Sequence, residues 1–193
     1  NVYIGREAGK GSGTGNNATQ NILIGYQSGF SITTADGAVG VGYNSLRALT
    51  SGGNNTAIGQ QAGYSLTTPV ENTAVGQAAL FYNETGNYNV AIGRASMFGV
   101  SGNSHENNTA VGYKTLEGIT TADYNIAVGY LAGNSITSGD ANVIIGGLAG
   151  DAMTTTTNTV LIGQNAGSAI NSADADGSVG VGRDALQDLT SGQ

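Results

Sequence analysis

Asp36, Glu106, Asp123, Asp140 and Asp176 each stand six residues before a glycine. In Asp123-Tyr124-Asn125 and Asp140-Ala141-Asn142 a carboxylate and an amide oxygen lie on one side of an extended chain. Such oxygens suit a hard cation, and stacking Asp123 over Asp140 would make a like-charge contact that Ca2+ could relieve. The plainer chemistry is that of Asx turns, where the same oxygens accept backbone N–H groups. The glycine–aspartate nonapeptide of calcium-binding β-rolls is absent, so Ca2+ at Asp123 and Asp140 is the one cofactor the residues raise.

Three other groupings carry chemistry. Tyr26, Tyr43, Tyr113 and Tyr130 each directly follow a glycine, a place also taken by Arg6, Arg94, Arg183, Gln60, Gln77 and Gln164. Planar, donor-rich side chains there suit contact with a receptor protein or a glycan. The alternative is an ordinary exposed ladder covering an edge of the fold. Thr33, Thr50, Thr67, Thr120, Thr137, Thr154 and Thr190 form a second series, the raw material of an ice-binding lattice. Such a lattice needs an outward T-x-T pattern, whereas the second hydroxyl here is adjacent and alternation sends it to the other face. Asp174 and Asp176 could converge as the carboxylate pair of a polysaccharide-degrading tailspike. No groove-building loop accompanies them, and the chain is expected not to be an enzyme.

Composition narrows the rest. Cysteine is absent and histidine occurs once, which removes disulfides, thiol catalysis and Cys- or His-pair metal sites. A net charge of −7 with six basic residues argues against nucleic acid or anionic lipid as the main partner. No apolar run approaches the roughly 20 residues needed to span a bilayer.

What must position these residues is a repeat. Gly5, Gly25, Gly42, Gly59, Gly76, Gly93, Gly112, Gly129, Gly146, Gly163 and Gly182 each close a short apolar run, and seven of the ten spacings are 17 residues. The other three spacings are 19 or 20. Ile or Val precedes each glycine, and Asn stands four before it in eight of the eleven copies. Three after it the residue is always small, and seven after it is usually Ile, Leu or Met. Seventeen residues cannot hold two helices, and β-branched residues ahead of each glycine favour a strand. Each copy is therefore expected to be one coil of an all-β parallel solenoid, with columns about 4.8 Å apart and a rod about 50 Å long. Residues 1–193 form a single repeat domain on this reading.

Charge placement agrees. None of the Asp, Glu, Lys and Arg residues falls in the five residues ending at the glycine, or three, four or seven places after it. Those columns should be buried. The insertions share a stretch with Pro69 and His105, which is expected to be an outward loop. Alternation splits the strand into two faces. The Ile/Val face is expected to be the core. The uncharged Asn, Ala and Gly face is expected to pack against another copy of the chain, the alternative being tight turns within one thin coil.

Asn55-Thr56-Ala57-Ile58-Gly59, Asn72-Thr73-Ala74-Val75-Gly76 and Asn125-Ile126-Ala127-Val128-Gly129, each followed three places later by Ala, resemble the head repeats of YadA-like trimeric autotransporter adhesins. They are similar also to repeats of bacteriophage tail-fibre proteins. The resemblance covers all eleven copies and implies a homotrimer of left-handed parallel β-rolls, extracellular, on a virion or bacterial surface. Handedness and the number three come from the resemblance alone. Adhesin heads are similar to a shorter unit of about 14 residues, and the surplus here lies in the Thr-rich outer part, which tilts the expectation towards tail fibres. The functional expectation is a stiff structural or adhesive shaft, one portion of a longer filament, with an ice-binding solenoid as the alternative.

Overall fold

The structure, a computed structural model, describes residues 1–11, 17–171 and 173–190, without the side chain of Asp174. Its strands are β1 (Val2–Ile4), β2 (Ile22–Ile24), β3 (Val39–Val41), β4 (Thr56–Ile58), β5 (Thr73–Val75), β6 (Val90–Ile92), β7 (Thr109–Val111), β8 (Ile126–Val128), β9 (Val143–Ile145), β10 (Val160–Ile162) and β11 (Val179–Val181). They form one parallel sheet in sequence order. Pairing is column on column, as in Thr73↔Val90, Ala74↔Ala91 and Val75↔Ile92. The chain is thus a β-solenoid in which the strand ahead of each aligned glycine lies beside its counterpart one coil on. A short 3-10 turn, Ala173–Ala175, sits in one insertion.

Each coil bends at left-handed residues that recur in register. The anchor glycine takes φ near +125° to +143° in every copy. The residue two places later is left-handed although never glycine, as at Gln27, Ala78, Lys114 and Leu131. Hydrogen bonds along the axis hold these corners: Gln27 donates its backbone N–H to the Arg6 carbonyl at 3.0 Å, and Leu131 to that of Tyr113 at 3.0 Å. Left-handed conformation costs an L-residue about 1–2 kcal/mol, so the ladder must offset that at every coil.

The core inverts the expected faces. Ala57, Ala74, Ala91, Ala110 and Ala127, two before the glycine, are fully buried inside the coil, as are Asn55, Asn72, Asn89, Asn108 and Asn125. The flanking Ile and Val side chains point outward instead. The expected Ile/Val core is corrected by the width of the coil: its interior already holds Leu49, Leu66, Ile119, Ile136 and Met153 from the opposite wall. The same column also holds Leu23, Ile144 and Leu161, fully buried, so its residues take the size that the facing side chains leave at close-packed density. The Asn, Ala and Gly face therefore packs within its own coil and not against another copy.

The outward-loop expectation is corrected in part. Val100, Ser101 and Gly102, in one insertion, are exposed. Pro69 and His105 occupy an inward column with Ala35, Gly86 and Ala122, and both are buried. The backbone carbonyls of that column accept from the buried asparagines: Asn55 Nδ2 donates to Pro69 O at 2.7 Å and Asn89 Nδ2 to His105 O at 2.8 Å.

Candidate functional site

The Ile and Val side chains of the strands make one outward strip along the rod. Val2, Ile4, Ile22, Ile58, Ile92, Ile126, Ile145, Ile162, Val179 and Val181 are between 37% and 67% exposed, and their strand partners are half-buried. Parallel in-register pairing places each of them over its neighbours at about 4.8 Å, so the strip runs about 50 Å without a charge. Contiguous apolar surface of this length is unusual on a soluble monomer and marks an interaction surface.

Beside the strip runs a ladder built from the residue after each anchor glycine. The four tyrosines singled out above come together as two separate pairs. Tyr26 and Tyr43 stack at 5.2 Å with 14° between planes, and Tyr113 and Tyr130 at 5.6 Å with 9°. An arginine covers the near face of each pair, Arg6 at 5.9 Å from the Tyr26 ring and Arg94 at 5.7 Å from the Tyr113 ring. Tyr26 and Tyr113 are half-buried, whereas Tyr43 and Tyr130 are exposed.

A second ladder, five places after the glycine, was not anticipated. Tyr64, Phe81 and Phe98 stack at 4.8 and 5.1 Å, with Tyr82 edge-on to Phe81 at 4.6 Å. Arg47 lies 5.7 Å from Tyr64 and 5.3 Å from Phe30. The signal was available, since Phe30, Tyr64, Phe81 and Phe98 all stand at the same offset from their glycines. The rings cover one another's faces, and the ladder serves packing.

The acidic column bridges neighbouring coils rather than closing Asx turns within one. Asp123 accepts the Glu106 N–H at 2.7 Å, Asp140 the Asp123 N–H at 2.8 Å, Asp36 the Thr19 N–H at 2.6 Å and Asp176 the Thr157 N–H at 2.7 Å. Asn125 and Asn142, expected to share a cation with these carboxylates, turn inward instead. Asn125 Oδ1 accepts both the backbone N–H and the Nδ2 of Asn142, at 3.0 Å each. That corrects the paired-ligand geometry, because the amides are needed to satisfy buried backbone. Burial pushes the Asp123 carboxyl above its usual range despite its backbone hydrogen bond, and Glu106 and Asp140 add to the shift. Among the described residues no group of three or more His, Asp or Glu could hold a metal ion.

The threonine hydroxyls are engaged along the axis. Thr33 donates to Thr50 O at 2.9 Å, Thr50 to Thr67 O at 3.0 Å and Thr120 to Thr137 O at 2.7 Å. The side chain of Asp174 lies outside the described residues. Asp176 lines a cavity of about 350 Å³ with Val179, Leu186 and Leu189, at the last coil of the stack.

Compared with known proteins, the chain matches no protein family, no curated sequence and no solved structure. Among the described residues no helix is long and apolar enough to cross a membrane.

Proposed function

We propose that this chain is a shaft segment of an extracellular homotrimeric fibre, tail-fibre-like or trimeric-adhesin-like, acting mechanically and without catalysis. The observation that supports the reading is the outward Ile/Val strip. Three left-handed rolls placed side by side would turn their strips to a common axis and bury about 50 Å of aliphatic surface along each chain. A homo-oligomer needs only a self-complementary patch, and a straight uncharged strip on an in-register solenoid is complementary to its own copies. Stiffness follows from the backbone: hydrogen bonds run parallel to the long axis, and each coil supports only its neighbours, so length scales with repeat number. The ring of planar side chains beside the strip remains at the outer rim, where contact with a cell-surface receptor or glycan would occur.

Light scattering on the purified chain tests this. The expected mass is three times that of one chain, and Ile58→Lys/Ile92→Lys should give a folded monomer with an unchanged β-type circular dichroism spectrum. Both positions are exposed on the single chain, so the variant should fold. A monomeric wild type, or a trimer indifferent to the two lysines, would overturn the proposal.

A further inference from the structure

The ladder that follows the anchor glycines contains the same order twice. Arg6, Tyr26 and Tyr43 are succeeded one coil on by Gln60; Arg94, Tyr113 and Tyr130 are succeeded by Gly147. In the second copy a rung is missing. One face of the Tyr130 ring lies on Tyr113, and the strand register sets residue 147 one rung further along, on the other side of the ring. A Cβ built at Gly147 meets nothing within 4 Å, and the next rung, Gln164, is itself exposed. Tyr130 is 56% exposed.

We infer that the gap at Gly147 is a binding slot for one hexopyranose ring of a glycan, held between the Tyr130 ring and the Gln164 side chain. Two rungs of a parallel sheet span about 10 Å. Contact distances of about 3.5–4 Å on each side leave room for a single ring. The walls select its chemistry. The free face of Tyr130 is electron-rich and attracts the weakly positive C–H face of a sugar. The Gln164 amide offers both a donor and an acceptor to ring hydroxyls. The gap has no apolar side chain opposite Tyr130 to enclose an aromatic ring, and no carboxylate stands in this column to favour a cation.

The duplicate supplies its own control, since Gln60 shows what fills the slot when it is closed. Gly147→Gln copies the first ladder onto the second, its Cβ meeting open space, and Gln60→Gly opens a gap beside Tyr43. Maltohexaose and chitohexaose are the probes, followed by amide chemical shifts in the 15N-labelled protein. One of them should perturb residues 130, 147 and 164. Gly147→Gln should weaken that binding by about tenfold or more, and Gln60→Gly should add a second site at residues 43 and 60. The inference is overturned if neither sugar perturbs these residues, if Gly147→Gln leaves the perturbation in place, or if Gln60→Gly adds none. It is overturned also if the shifts at residue 147 follow protein concentration without sugar, which would assign the gap to a neighbouring copy. The slot lies within one chain, so light scattering on the same samples separates its failure from failure of the trimer.

Discussion

Leu23 fills the space that a side chain at Gly29 would need: a Cβ on Gly29 would lie 2.5 Å from Leu23 Cδ1. The relation recurs six residues apart around the rod. Tyr3 stands over Gly9 and Leu161 over Gly167, whereas Gly180 packs under Leu186. Large and small exchange places between the two columns in these coils, while Gly63 and Gly133, paired with Ala57 and Ala127, are filled instead by Leu46, Leu66, Leu116 and Ile136 from the interior. Gly29 is left-handed at φ 58°, and Leu46 adopts the equivalent φ of 49°, so a leucine there is tolerable once space exists. Leu23→Ala alone should cost about 2–5 kcal/mol, and Gly29→Leu alone about 1–3 kcal/mol. The double variant should be more stable than the sum of the singles, read by urea denaturation at fixed protein concentration. Strict additivity would refute the exchange.

Asn89 lies within a chain of buried amides that runs from Asn55 to Asn142. Its Oδ1 accepts the Asn108 backbone N–H at 3.1 Å, and its Nδ2 donates to His105 O at 2.8 Å and to Asn72 Oδ1 at 3.0 Å. Asn89→Ala strands a buried N–H and a buried carbonyl, with an expected loss of about 2–4 kcal/mol. Asn89→Asp should be worse, since it deletes the donor and buries a charge. An Asn89→Asp variant as stable as Asn89→Ala in chemical denaturation would show that a carboxylate at this place costs nothing extra.

The register of the rod was legible because one glycine column is both strand end and corner, and strand pairing reproduces the alignment residue for residue. The direction of the strand faces was not. Alternation separates Val90 and Ile92 from Asn89 and Ala91 but does not say which pair is inside. Hydrophobicity alone favours the wrong one, because it omits how little room a coil of this size leaves. The same omission placed His105 outside. Left-handed corners at Lys114 and Leu131 had no sequence signal, since neither residue type favours that conformation and hydrogen bonds to the adjacent coil impose it. Of the candidate site, the tyrosine column was visible. Its division into two capped pairs depends on Arg94 and Gly147, which acquire meaning only when stacked.

Gly76 and Gly147 predict opposite outcomes for the same substitution. Gly76 has φ +132°, and its Cβ would lie 2.5 Å from the Gly93 carbonyl oxygen, which the strand ladder holds in place. Gly76→Ala should cost about 3 kcal/mol or more from backbone strain and the clash together. Gly147→Ala meets open space and should shift stability by no more than about 0.5 kcal/mol. Thermal melts of both variants at one protein concentration check the contrast. A mild Gly76→Ala would mean that the coils can slide apart.

His105 should make the rod acid-sensitive. It is 2% exposed, and neither ring nitrogen has a hydrogen-bond partner. Around it stand Asn83, Asn89, Tyr82 and Gly99, none of them charged. Burial pushes its pKa down to about 4 from the ordinary 6.5. The folded state therefore holds the neutral ring, while the unfolded chain takes up a proton as pH falls below 6.5. Stability is fully present above that value and declines towards pH 4, by about 2 kcal/mol at pH 5. The raised carboxyl of Asp123 works in the other direction, since its protonation favours the folded state. His105→Ala, which restores the small residue found elsewhere in the column, should flatten the decline between about pH 7 and 5. Denaturation midpoints measured across that range decide the matter. An unchanged slope in the variant would show that the imidazole is protonated without leaving the fold.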